Sequence, residues 1–489
     1  MDPRTPVLVG AAQRSHRDGG AEPIDMMVRA AEAALSDCSA DLRSSLQSVR
    51  VVKGIWPYTD PGTLVAGQLG LDDVETALTQ LGGNEAFDLV NRTAASIGAG
   101  ELDAALICSA ETMRTRRADK KAGRKSPYLA ERDQAEPTET YGIDRELGDT
   151  TEFFAGTTVA ANFYAMAETA LRHRAGESID AHRQHIAQMW ATASLVAADN
   201  PHAWMREALA AEQIVTPGEA NRMVASPYPK LMTSNINVDQ AAAVIICSLE
   251  TALDSGVPRD RIVFLHGGSK GHDVWETRNR WAFDESPALR IAGQAALETA
   301  GVSLDDIDLL DLYSCFPSAI QVAQRELGVP VDRVFTITGG LTFAGGPFNS
   351  YCMHSLARAV ELLRVAPSSL ALLSGNGGFF TKHSFVILGG TQPTTPFDVA
   401  RPQAAIDAQP VRNEAETVPS TGVIDTYTVT YDRNGNPDRA IIAALDDTGS
   451  RTLTNSTDLS TIDALLGRDA CGMTVTVAEG DKVPISTIN

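Results

Sequence analysis

Short apolar runs alternate with amphipathic stretches through most of the chain. Val7 to Ala12, Val49–Ile55 and Ala104–Ala110 have the pattern of buried strands, and Ile24 to Leu35 and Phe87 to Gly98 repeat their apolar residues at helical spacing. This alternation predicts βαβα connectivity around a largely parallel, buried sheet. The order returns near residue 262, with strand Ile262–Gly267, helix Leu289–Thr299, strand Ile307–Leu312, helix His354–Arg364 and strand Ser369–Ser374. The strings GELDAALICSAE and PSSLALLSGNGG occupy corresponding places, so two copies of one α/β unit are predicted.

Between the copies, Thr112 to Asn237 is too long for a plain connection. Helical patterns at Ala160–Arg174 and Ile179–Ala198 predict an inserted subdomain covering one face of the sheets. After Gly390 a stretch rich in Pro, Thr and Ala reads as a linker, and beyond it the period changes to two. Tyr427, Val429 and Tyr431 alternate with Thr426, Thr428 and Thr430, Asn434-Gly435 supplies a hairpin turn, and Met473, Val475 and Val477 alternate again. A small all-β module, barrel-like or OB-like, follows from that pattern. The expected units are 1–111 completed by about 238–255, an insertion at 112–237, a second half at 256–392, a linker at 393–420 and a β domain at 421–489.

Composition narrows the partners. A chain of 489 residues with a net charge of -21 lacks the positive face that general nucleic-acid or anionic-membrane binding needs. The start has no basic region followed by a long apolar one, and no stretch approaches the ~20 apolar residues of a membrane span, so a cytoplasmic protein is predicted. Six cysteines stand apart, without CxxC pairs or Cys/His clusters, and read as small core residues rather than a zinc site or disulfide framework.

Two α/β halves with a helical insertion resemble the thiolase superfamily, especially relatives of the sterol-carrier-protein-x type thiolases. Local strings carry the resemblance from about Val7 to Gly390. IGAGELDAALICSAETM is similar to the helix-strand segment after the nucleophile, and VDQAAAVIICS to the DGAAA segment. DLYSCF, GGLTFAGGP and SGNGG stand where the family has NEAF or HDCF, GGxxxxGHP and CxGGG. The resemblance implies a layered αβαβα fold, acyltransferase (acetyl-CoA acetyltransferase-like) ancestry and a coenzyme A thioester as ligand.

Thiolase chemistry needs a low-pKa cysteine at a helix N-terminus, donors for an oxyanion, and a second cysteine or histidine as acid and base. Counting back from Gly100 by the family's spacing, the nucleophile position is Gly83. The activating histidine of GHP becomes Gly346, the second cysteine becomes Ser374, and the Asn or His of NEAF or HDCF becomes Tyr313. Ordinary thiolase activity is therefore predicted to be absent. Gly82-Gly83 before a helix fits two readings, backbone donors for a carbonyl or a tight turn without ligand. A tyrosine hydroxyl at 313 can still donate a hydrogen bond, or be satisfied by packing. His354 and His383 follow the GGP and SGNGG segments as low-ranking replacements, and Cys315 and Cys352 could supply a thiol or be buried structural residues.

The insertion opens with MRTRRADKKAGRK, whose Arg116, Arg117, Lys120 and Lys121 suit coenzyme A phosphates or a solvated loop. Lys230 and Asn235 fall in a stretch similar to the family's pantetheine-binding segment. His182 and His185 share a helix face, but neither an HExxH pattern nor a carboxylate cluster in the sequence completes a metal set, so no metal is expected. The family dimerises through the strand before the nucleophile turn, here Val74–Leu81, whose polar residues suit a paired or a protected edge. The resulting expectation is a CoA- or acyl-CoA-binding protein of lipid or sterol side-chain metabolism. Whether it is an enzyme using cysteine-independent chemistry such as retro-aldol cleavage, or a binding or scaffold subunit recruiting a partner through the β domain, stays open.

Overall fold

The computed structural model describes residues 2–131 and 135–488. The strands run in chain order as β1 (Pro6–Ser15), β2 (Ser48–Val51), β3 (Glu75–Thr79), β4 (Ala104–Thr112), β5 (Glu139–Tyr141), β6 (Met223–Ala225), β7 (Tyr228–Pro229), β8 (Asp239–Ser248), β9 (Val263–His272), β10 (Leu309–Asp311), β11 (Leu370–Gly377), β12 (Lys382–Gly389) and β13 (Val399–Ala400). All but β6 and β7 form one sheet in the order β10-β11-β12-β9-β1-β8-β4-β2-β3-β5, with β13 beside β9. It is two similar halves joined where β1 meets β9 at Val7–Phe264 and Leu8–Val263. Within each half one strand, β8 or β12, runs against the others.

Two helices lie between the halves, Glu85–Ala99 and Tyr351–Val365, each touching strands of both. Both are buried along much of their length, and the buried acids of the first are paired, Glu85 with Lys382 and Asp88 with Arg92 and Lys270. Helices Pro23–Asp37 and Pro61–Leu69 cover the first half, Pro287–Ala300 covers the second, and Pro317–Leu327 packs beside it against the insertion helices. All four open on a proline, whose fixed φ and missing N–H suit a first helical turn.

The predicted strand at Val49–Ile55 stops at Val51. Lys53 N–H donates to Thr79 and Ile55 N–H to Glu111, which turns this segment away from the sheet and toward the ends of the strands. The polar strand β3 is not left free either. Its outer edge pairs in parallel with β5 of the insertion, Ala77 to Glu139 through Thr79 to Tyr141.

The C-terminal strands β14 (Thr421–Tyr431), β15 (Pro437–Leu445), β16 (Arg451–Ser456), β17 (Thr474–Ala478) and β18 (Ile485–Thr487) close into a barrel in the order β15-β16-β18-β17-β14, with β14 pairing back to β15. Helix Leu459–Gly467 joins β16 to β17, and β16 runs parallel to β18, the arrangement of an OB-like barrel. The barrel is docked, not tethered. Arg451, fully buried, pairs with the Asp425 carboxylate and donates to the carbonyls of Arg278, Arg280 and Trp281. The residues before it are anchored as well, by β13 on β9 and by a bridge from Val411 to Arg280.

Candidate active site

A cavity of about 510 Å³ opens where the ends of the sheet halves meet the insertion. That size suits a small-molecule ligand. Its wall is mostly apolar, including Ile55, Leu81, Ile236, Phe316 and Phe379, and helix Ala160–Ala175 contributes Ala160, Ala161 and Tyr164. No histidine, carboxylate, lysine or arginine is among the described residues that line it.

Gly83 lies at its inner end, on the turn from β3 into helix Glu85–Ala99. A Cβ at this position would stand 2.4 Å from the Asn376 carbonyl oxygen and 2.5 Å from the Tyr313 hydroxyl. Glycine is therefore required by close approach, and the space a side chain would use is already filled. The N–H groups of Gly83 and Asn84 make no hydrogen bond among the described residues, and they sit at the positive end of a 15-residue helix. The turn is held from behind. Cys352 Sγ donates to Gly83 O at 3.0 Å, Asn349 accepts from Gly82 N–H at 3.2 Å, and Lys382 Nζ bridges Leu81 O and Glu85. Burial pushes the Glu85 carboxyl up, and the Lys382 ammonium offsets part of that rise.

Tyr313 follows β10. Its N–H donates to Ser374 Oγ at 3.0 Å and its ring meets Tyr351 edge-on at 5.5 Å, which aims the side chain at Gly83. The hydroxyl has no hydrogen-bond partner among the described residues. Burial, with the thiols of Cys352 and Cys315 nearby, raises its pKa well above the ordinary tyrosine value, so it is a neutral donor.

Gly346 also lines the cavity, its N–H donating to Asn235 O at 2.9 Å. Three predicted positions, Gly83, Tyr313 and Gly346, thus share one cavity. Ser374 does not reach it, because its hydroxyl is engaged by the Tyr313 N–H. His354 is also elsewhere, against Gln13 at 3.0 Å, where burial drives its pKa down to about 3. His383 sits between Ser286 and Phe380 O, its pKa driven by burial to about 4. Of the two thiols considered, only Cys315 lines the cavity, and burial raises it to about 12. Burial raises Cys352 well above the ordinary thiol range, so neither is a thiolate near neutral pH.

The basic residues lie on helix Met113–Lys121. Arg116 donates to the carbonyl of the lining residue Ile55 at 2.5 Å, while Arg117, Lys120 and Lys121 are exposed. Lys230 is exposed on a short turn and Asn235 Oδ1 accepts from Asn237 N–H, so neither side chain lines the cavity, whereas their neighbours Thr233, Ser234 and Ile236 do. Two features escaped the sequence reading. Tyr164, whose hydroxyl donates to Gly378 O and accepts from Asn376 Nδ2, is one tyrosine in an ordinary helical pattern. Trp204, with Arg17 stacked at 4.3 Å, joins residues too distant in the chain for any local signal.

Residues 402–482 match a family model described as the thiolase-like protein type 1 additional C-terminal domain. The whole chain is similar to the crystal structure of a monomeric SCP2-thiolase like protein type 1 from Mycobacterium smegmatis, with 31% identity, a TM-score of 0.86 and 100% of both chains covered. An Ltp2-ChsH2(DUF35) aldolase is similar in fold, with a TM-score of 0.62 and 18% identity over 80% of this chain and 98% of that one. An acetyl-CoA acetyltransferase from Methanocaldococcus jannaschii is 28% identical over 105 residues, 22% of this chain. That match spans only 26% of the relative's length. No helix among the described residues is long and apolar enough to cross a membrane.

Proposed function

The chain belongs to the SCP2-thiolase-like proteins of type 1 in the thiolase superfamily, and from that membership we propose that its central cavity binds a coenzyme A thioester without thiolase carbon–carbon chemistry. One observation carries the proposal: at the inner end of the cavity Gly83, whose N–H is unbonded among the described residues, meets the unbonded Tyr313 hydroxyl, and no thiolate, imidazole or carboxylate is among the described residues that line it. Two neutral donors suit a thioester carbonyl oxygen. The apolar wall suits the acyl chain of a lipid or sterol side-chain thioester, and the cationic helix Met113–Lys121, tied to the wall through Arg116, suits the phosphates.

Retro-aldol cleavage fits less well. It needs a base for the substrate hydroxyl, and a tyrosine held neutral by burial is a donor, not a base. The barrel's packing on helix Ala160–Ala175, where Thr426 Oγ1 donates to Met166 O, supports a role in holding the cavity wall over one in recruiting a partner.

Calorimetry of the full chain with an acyl-CoA is the direct test. Saturable binding is expected, with about tenfold weaker affinity in Tyr313→Phe, the loss of one hydrogen bond worth about 1–1.5 kcal/mol. Acetoacetyl-CoA and free CoA should give no thiolysis. Absence of acyl-CoA binding would reject the proposal, and measurable thiolysis would reject its second half.

A further inference from the structure

The helical insertion carries a second constellation, further along helix Ala160–Ala175 toward its C-terminal end than the residues that line the cavity. Helix Ile179–Asp199 starts just after Glu177 and presents His182 and His185 on one face. No carboxylate cluster was legible around them in the sequence, but the fold supplies one. His182 is 2% exposed, and its Nδ1 lies 2.6 Å from Glu177 Oε2. His185 Nδ1 lies 3.5 Å from the other Glu177 oxygen, and one ligand atom from each of the three residues falls within 4.8 Å of the others.

The remaining nitrogen of His182 decides what this arrangement can hold. Nε2 lies 2.6 Å from Glu168 Oε1, and Glu168 is fully buried and fixed by the Tyr228 hydroxyl and the Gln321 amide, each at 2.5 Å. A carboxylate so anchored keeps the His182 proton on Nε2. That leaves the Nδ1 lone pair facing a second carboxylate at hydrogen-bond distance, and two acceptors cannot face each other unless a positive charge lies between them. Either a second proton or a metal ion supplies it.

We propose that Glu177, His182 and His185 form a site for a divalent ion of the zinc class, with Glu168 orienting His182. Two imidazoles and one carboxylate make a borderline donor set, suited to Zn²⁺, Co²⁺ or Ni²⁺ more than to Mg²⁺ or Ca²⁺. A carboxylate on the far nitrogen of a liganding histidine is the arrangement that fixes its tautomer and raises its basicity. A tetrahedral ion at about 2.1 Å from its ligands holds them roughly 3.4 Å apart, so Glu177 has to withdraw from His182 by under an ångström. Its half-exposed side chain, ahead of the helix, is free to do so. The ion would pin the turn between helices Ala160–Ala175 and Ile179–Asp199, a structural role independent of any ligand in the cavity.

The test uses the full chain stripped with EDTA and titrated with Co²⁺. The expected result is a visible d–d absorption saturating at one ion per chain, displaced by Zn²⁺, with a raised thermal midpoint. His185→Ala and Glu177→Gln, both at half-exposed positions, should each weaken binding about tenfold or more while the chain stays folded. A wild type showing neither absorption nor a midpoint shift at millimolar ion would overturn the proposal and leave His182 a doubly paired imidazolium. Binding undiminished in both variants would overturn it equally.

Discussion

Gly83 is a position where close approach leaves no room for a side chain. A cysteine installed there would place its Cβ within 2.5 Å of both the Asn376 carbonyl and the Tyr313 hydroxyl. Gly83→Cys is therefore expected to destabilise the chain by about 1–3 kcal/mol or more, seen in chemical unfolding, and to confer no thiolysis. The carbonyl is the obstacle that no side-chain substitution removes. His354 makes a different prediction. In the unfolded chain it takes up a proton near pH 6.5, and in the fold not until about pH 3. Its depressed pKa contributes stability that is whole above about pH 6.5 and is lost as the pH falls toward 3. Between pH 7 and pH 5 the wild type should lose about 2 kcal/mol more than His354→Gln, measured by urea unfolding at both pH values.

Among elements, the clearest case is how the barrel is fastened. β16 brings Arg451 to the carbonyls of residues 278, 280 and 281 and to Asp425, and the guanidinium also lies over Phe283 at 4.8 Å. Arg451→Met keeps most of the volume but leaves a carboxylate and three carbonyls short of their donor. A loss of about 3–5 kcal/mol is expected. Limited proteolysis should then cut within residues 393–420, which the intact molecule holds by β13 and the Arg280–Val411 bridge. The period-two pattern of the barrel strands was plain in the sequence, because alternation records only which face is inside. Their docking was not, since a single arginine in a strand carries no mark of the partner it will meet.

For the whole molecule the edge strand matters most. β3 is the strand through which the resemblance implied dimerisation, and here β5 pairs along it, with Gln80 N–H also donating to Tyr141 O at 2.6 Å. An occupied edge cannot template a second chain. The protein is predicted to be monomeric by multi-angle light scattering, like its relative from Mycobacterium smegmatis. Tyr141→Pro, which removes an N–H on the side of β5 that faces β3, should raise the apparent mass. An unchanged mass would show that β5 is not what keeps the edge closed.

The sequence by itself determined the two α/β halves, the helical insertion and the barrel. Those are local properties: periodicity, turn chemistry and the spacing of glycines survive in one dimension. Only the tertiary structure decided which of the motif positions meet. Gly83, Tyr313 and Gly346 come from three separate segments to one cavity, while Ser374 and His354 turn aside into hydrogen bonds with Tyr313 and Gln13. It likewise brought Glu177 and Glu168 to His182 from opposite sides, and β5 to β3 across about sixty residues of chain. Side-chain direction and long-range contact depend on the packing of the whole core, and no local pattern in a chain encodes them.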